Sequence, residues 1–289
     1  MSTLYKSKAA QFAIFQLYDE KLKSLDIPYQ EIDVDTVYGR TRIIKTGNEQ
    51  GPTIVLFHGI NAGAPLALEA VKELREQYLL IAIDTIGQAT KSAEHPLSIK
   101  DNAYALWADE VLEQLAITEA NFIGISYGAF ILQKLITFRP QRVAKCIFVV
   151  PAGLVNGALL PSFTQLSWPL MRYLITKKDH HLRSFLRAFV AEENDFMFRL
   201  QKALLAGVNI DYRRPGLLQA SDVHHYNNPV YLIVADQDIF FPGPAAAKRA
   251  QEIFPNLQEV HFLINSRHIP HRSQFAEIQG KIVEWVGAP

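Results

Sequence analysis

Residues 121–130 read NFIGISYGAF. A short apolar run leads into Gly124-Ile125-Ser126-Tyr127-Gly128, and a helical pattern, YGAFILQKLITFRP, opens at Tyr127. A strand that turns at once into a helix forces the residue at the bend into a strained backbone region, and glycines two before and two after it remove the clash. The G-x-S-x-G spacing carries meaning only in this strand–turn–helix setting. There the bend lifts the Ser126 hydroxyl above the end of a sheet, at a helix N-terminus. The Tyr127 amide then faces any oxygen bonded to the carbon that Ser126 engages.

The surrounding pattern fits such a bend. Upstream, YQEIDVD and TRIIKTG, separated by TVYG, read as an antiparallel strand pair. TIVLFHG reads as a buried strand before a helix through PLALEAVKELREQ, and YLLIAIDTIG as the next strand before a helix near DNAYALWADEVLEQLAI. VAKCIFVVPAG continues the series after the serine. Strand–helix alternation implies right-handed crossovers and a mostly parallel central sheet. Near-continuous apolar strands imply helices on both faces.

The rhythm stops at residue 154. From there to 222 the pattern is helical, with Phe163, Trp168, Tyr173, Phe185, Phe189, Phe196 and Phe198 and no good strand. It resumes with PVYLIVADQD, a helix through AAAKRAQEIF, the strand EVHFLI and a last helix, QFAEIQGKIVEWV. The expected organisation is one α/β core, residues 1–153 and 223–289, with a helical cap at 154–222 inserted before the strand that ends in Asp236 and Asp238. Such a helical run fits no loop. Residues 1–28 form an N-terminal arm in which Phe12, Ile14, Phe15, Tyr18, Leu22 and Leu25 recur at helical spacing. The arm reads as an amphipathic helix packed on the protein's own core.

Composition narrows the function classes. The chain has 289 residues, 49% hydrophobic and 20% charged, with 29 basic and 29 acidic residues. No global field points to nucleic acid or to an anionic membrane, and neither is an expected partner. No run reaches the ~18 apolar residues that span a bilayer. The N-terminus lacks the uninterrupted apolar stretch and cleavage site of a signal peptide. The single cysteine, Cys146, excludes a disulfide within the chain, suits the cytoplasm, and reads as a small apolar filler.

A serine is a poor nucleophile until a base takes its proton, and the base must be oriented by an acid. On a parallel sheet these groups sit on strand-end loops of one edge, which meet in one crevice. YLIVADQDIFFP ends a strand and offers Asp236 and Asp238; VHFLINSRHIP ends the next and offers His268. The chain order Ser, Asp, His suits this architecture. VLFHGINAGAP places a glycine-containing loop after an early strand, and its Ile60 amide is the candidate second oxyanion donor beside that of Tyr127. His58 precedes the serine and reads as a structural residue of that loop.

With FHGINAG, IDTIG, IGISYGAF, VADQDIFFP and INSRHIP in place, the chain resembles the α/β-hydrolase superfamily over about residues 50–289. Its arm, IPYQEIDVDTVYGRTRIIKTGNEQGP, and DTIGQATKS are similar to bacterial carboxylesterases of the naproxen-esterase type. The resemblance implies an α/β-hydrolase fold with Ser126 as nucleophile, Asp238 as acid and His268 as base. Asp238 is preferred over Asp236 because the family's acid follows a small residue, here Ala235, by three. Two positions depart from the family pattern. Ala235 and Arg267 replace glycines, and Arg267 is expected to bring a charge near the pocket mouth.

No catalytic metal is expected. His180-His181 and His224-His225 are adjacent pairs whose side chains diverge on a helix, and Pro270 breaks the His268-x-x-His271 spacing. No G-x-G-x-x-G or Walker loop anchors a nucleotide, so no cofactor is expected either. The expected activity is hydrolysis of an ester or related acyl bond in a small to medium, largely apolar molecule. The same three residues would also serve a thioester, amide, lactone or carbon–carbon bond, and a ligand receptor of this fold is the non-enzymatic alternative.

Overall fold

The computed structural model describes residues 3–211 and 213–287. Met1 and Ser2 of the expected arm, Tyr212 of the expected cap, and Ala288 and Pro289 lie outside the described residues. The strands are β1 (Gln30–Thr36), β2 (Gly39–Gly47), β3 (Thr53–Phe57), β4 (Leu79–Ile83), β5 (Ala120–Ile125), β6 (Val143–Val149), β7 (Val230–Ala235) and β8 (Leu257–Leu263). They form one sheet in the order β1-β2-β4-β3-β5-β6-β7-β8. The β1–β2 and β2–β4 pairs are antiparallel, and every pairing from β4 across to β8 is parallel.

Both faces of the sheet are covered. Successive side chains of a strand point to opposite sides. In β3, Val55 and Phe57 join Trp107 and Phe148 on one face, while Ile54 and Leu56 join Leu68, Ile278 and Trp285 on the other. This is why the strands read as continuous apolar runs. The first face carries α3 (Ala103–Gln114), α4 (Tyr127–Phe138) and α10 (Gly243–Ile253); the second carries α2 (Gly63–Glu69) and α11 (Phe275–Val286). The helix expected over 65–77 is in fact α2 followed by a 3₁₀ turn, Lys72–Glu76. Val71, Leu74 and Tyr78 of this stretch bury in the cluster on the second face.

Strand order reverses between β3 and β5, since β3 leads to β4 on one side and β5 leads to β6 on the other. Ligand crevices open at the carboxyl ends of strands at such a switch point. His58, Gly59 and Ile60 follow β3 there, and Ser126 follows β5.

Residues 154–223 hold α5 (Leu159–Pro161), a π-helical stretch Ser162–Ser167, α6 (Trp168–Thr176), α7 (Asp179–Leu186), α8 (Asp195–Gly207) and α9 (Ala220–Val223). Leu166 and Tyr173 pack on Leu182 and Phe185, and this cluster reaches Phe240 and Ile269 beside the site. Phe163 and Trp168, by contrast, are exposed.

The arm helix α1 (Lys8–Ser24) differs from the expectation. Tyr18 and Leu22 pack on the core, but Ile14 packs with Leu200 and Leu204 of α8, and Phe12 is exposed. Glu20 pairs with Arg199, and Lys21 bonds Glu69 at 3.0 Å while lying over the Phe196 ring. The arm therefore leans on both the core and the inserted helices.

Candidate active site

β5 delivers Ser126 at φ 52°, ψ −113°, a left-handed conformation that costs a side-chain-bearing residue about 1–3 kcal/mol. The bend is held from both sides. The Ser126 amide donates to Val149 O at 2.9 Å, and its carbonyl accepts from Ala129 at 3.0 Å and Ala152 at 3.1 Å. A Cβ on Gly124 would lie 2.7 Å from Ala129 Cα, and one on Gly128 would lie 2.0 Å from the Phe57 carbonyl oxygen. The second glycine is thus required by the approach of α4 to β3, not by crowding around the serine.

His268 Nε2 lies 2.9 Å from Ser126 Oγ, and His268 Nδ1 lies 2.7 Å from Asp238 Oδ2. With Nδ1–H donating to the carboxylate, Nε2 is left to accept the serine proton. Asp238 is buried, and its Oδ1 accepts the amides of Phe240 at 2.8 Å and Phe241 at 3.1 Å. The rings of Phe240 and Phe241 meet the imidazole edge-on, with centroids 5.0 and 5.5 Å away. Asp236 does something else. Its two oxygens accept the amides of Asn265 and Ser266, each at 2.9 Å, and so hold the loop that carries His268.

The residues expected to supply the oxyanion donors are Tyr127 and Ile60. Tyr127 opens α4, and Ile60 lines the same cavity as Ser126. Neither amide has a hydrogen-bond acceptor among the described residues. A Cβ on Gly59 would stand 3.9 Å from Ser126 Oγ, so this loop lies against the serine.

The loop is fixed by the DTIGQATKS stretch. His58 is fully buried; its Nε2 accepts from the Thr85 amide at 2.9 Å, and its Nδ1 donates to Gly59 O at 2.6 Å. Burial pushes its pKa down to about 4, so the ring is neutral. The Asn61 amide donates to Gln88 Oε1 at 2.6 Å, and Asn61 Oδ1 accepts from Ala89 at 2.9 Å. Asp84 accepts the amides of Ala64 at 2.8 Å and Lys91 at 3.1 Å, and burial raises its pKa to about 6. Sequence reasoning missed Asn61, Asp84 and Gln88. The available signal was a polar cluster directly after an apolar strand, where buried polar groups must find partners.

Arg267 does not line the cavity. Its guanidinium donates to the carbonyls of Arg187 and Val190 in the inserted segment. On the other side of His268, the Ile269 amide donates to Phe189 O at 2.8 Å, and Ile269 O accepts from Ala191 at 3.0 Å. The long arginine side chain reaches backbone acceptors that a glycine could not.

The cavity above Ser126 measures about 370 Å³. Phe185, Phe189, Leu200 and Leu204 wall it from the inserted helices, and Glu69, Gln201 and Arg272 add polar groups. Among the described residues, no group of three or more His, Cys, Asp or Glu side chains is placed to hold a metal ion. Cys146 is buried in β6 outside the cavity, and burial pushes its thiol pKa up.

Comparison with known proteins agrees with this architecture. A family model for the alpha/beta hydrolase fold matches residues 52–223. Two curated relatives from Bacillus subtilis (strain 168) are similar along nearly the whole chain. The "Uncharacterized carboxylesterase nap" is 21% identical over 95% of this chain and 92% of its own length. "Carboxylesterase YbfK" is 21% identical over 94% and 93%. The crystal structure of naproxen esterase (carboxylesterase NP) from Bacillus subtilis superposes with a TM-score of 0.82 at 19% identity, covering 98% of this chain and 100% of that one. The family match takes in more than half of the chain, including the serine bend and the loop after β3, and the chain accordingly belongs to the α/β-hydrolase fold family as a carboxylesterase-like member.

Proposed function

We propose that the protein hydrolyses carboxylic esters of small to medium, largely apolar acyl groups through an acyl-enzyme on Ser126. The observation that carries this reading is the line of hydrogen bonds from Asp238 through His268 to Ser126, at 2.7 and 2.9 Å. Ser126 Oγ attacks the ester carbonyl as His268 Nε2 takes its proton. The amides of Tyr127 and Ile60 receive the oxyanion; losing a comparable donor costs about 100- to 1000-fold in rate. His268 returns the proton to the departing alcohol. A water, activated by the same imidazole, then releases the acid. Asp238 orients the ring and stabilises the imidazolium without itself taking the proton.

In this reading residues 154–222 act as a cap. Its support is the apolar wall that Phe185, Phe189, Leu200 and Leu204 present to the cavity. Such a wall favours uncharged acyl groups, since a charge buried without a partner is costly. A buried, lone Cys146 is in keeping with work in the cytoplasm.

The test is covalent labelling. A fluorophosphonate probe should modify the protein once, at Ser126, and Ser126→Ala should abolish labelling while the circular dichroism spectrum is unchanged. Labelling that persists in the variant would refute the assignment.

A further inference from the structure

The helical run Leu159–Thr176 has two apolar faces. One is buried: Leu166 and Tyr173 pack against α7. The other is not. Leu160 and Phe163 lie three residues apart, Trp168, Met171 and Leu174 follow beyond the π-helical stretch at three-residue steps with Ile175 beside them, and all six are 42–76% exposed. More than half of the large exposed apolar side chains among the described residues lie in this run. Scattered exposed apolar residues need no explanation, but a contiguous stripe of this kind marks an interaction surface.

Charge identifies the partner. Between Leu154 and Lys178 the chain has no aspartate or glutamate, but it has Arg172, Lys177 and Lys178. All three are exposed, and none forms an ion pair among the described residues. The nearest acid in sequence, Asp179, is already paired with Lys202 at 2.8 Å. The zero net charge of the whole chain conceals this local excess. A two-fold contact with a second copy would set these cations against themselves with no carboxylate on the face to meet them. A helix with Trp, Phe and Leu on one stripe and uncompensated cations beside it has the composition of one that lies in a lipid headgroup region.

We propose that the outer face of residues 159–178 docks the protein on an anionic lipid surface. The apolar stripe enters the headgroup boundary, and Arg172, Lys177 and Lys178 pair with lipid phosphates. None of these residues lines the cavity above Ser126, so docking places the enzyme without gating it. The inference is independent of which bond the enzyme cleaves.

The test is co-sedimentation of the full chain with vesicles of phosphatidylcholine alone and of phosphatidylcholine mixed with phosphatidylglycerol. Binding is expected to the anionic vesicles, falling as salt is raised. With about 1 kcal/mol per cation, neutralising Arg172, Lys177 and Lys178 with glutamine should weaken binding about 100-fold. Phe163→Ser with Ile175→Ser should abolish it. Both variants should keep the wild-type rate on a soluble p-nitrophenyl ester, which confirms that they fold. Absence of binding to anionic vesicles overturns the proposal, as does binding that these substitutions leave unchanged. A wild-type dimer that Phe163→Ser with Ile175→Ser converts to monomer also overturns it, because the stripe would then belong to a second copy.

Discussion

Asp236 and Asp238 stand two residues apart after β7 but serve different partners, the backbone of the His268 loop and the His268 ring. Asp238→Asn is expected to lower kcat by about 10⁴-fold, because the amide favours the wrong imidazole tautomer. Asp236→Asn should act mainly on stability. The amide has one acceptor oxygen for two backbone donors, so a loss of about 1–3 kcal/mol in urea denaturation is expected, with a much smaller change in kcat. The reverse order in kcat would show the two roles to be exchanged. The buried groups beneath the oxyanion loop predict a pH dependence of stability. His58, lowered to about 4, protonates in the unfolded chain well before it does in the native one, so its contribution to stability rises with pH over that interval. Asp84, raised to about 6, holds its proton longer in the native state, so its contribution falls as pH rises from the ordinary carboxylate range to that value. Each is worth about 3 kcal/mol, and the two oppose each other. Urea titrations across this range should therefore show a rise with pH in Asp84→Asn and a fall in His58→Gln, relative to wild type. Parallel pH profiles in all three proteins would remove both residues from the account.

At the scale of elements, the loop after β8 is the junction between core and inserted helices. Backbone bonds at Ile269 and the Arg267 side chain fasten residues 187–191 on either side of His268. Movement of that segment therefore displaces the imidazole. Arg267→Gly removes one fastening while leaving the buried core intact. Hydrogen bonds from a charged donor contribute about 1.5–3 kcal/mol, so local opening should become about 10- to 100-fold more frequent. Amide exchange should quicken at Ala191 and Ile269 while that of β5 and β6 stays unchanged, and kcat should fall. Unaltered exchange at these two amides would rule out the fastening role.

For the molecule as a whole, substrate range should follow from the cavity, about 370 Å³ with walls from both core and inserted helices. Short and medium p-nitrophenyl esters should be turned over, and long-chain triglycerides should not. The exposed stripe on residues 159–176 lies outside that cavity, so emulsified lipid should produce no jump in rate. A rate that rises sharply above the solubility limit of a long-chain ester would contradict this reading.

Local order explains what could be read without coordinates. Strand–helix alternation and continuous apolar strands determine a parallel sheet covered on both faces, because periodicity and burial are properties of neighbouring residues. The serine bend is legible for the same reason: strand, glycines and helix lie within ten residues. Strand ends also narrow the acid to two aspartates and point to His268. Contacts between distant segments are different, since nothing in local spacing encodes them. Resemblance already favoured Asp238 as the acid, but only the tertiary structure decided that Asp236 braces the loop of His268, and that His58, Asn61 and Ala64 are held by residues 84–91. The same holds for Arg267, whose reach to Arg187 and Val190 spans about 80 residues of chain, and for α1, which has one face for the core and another for α8. In each case a polar or apolar group finds its partner only after the sheet has brought remote loops to a common edge.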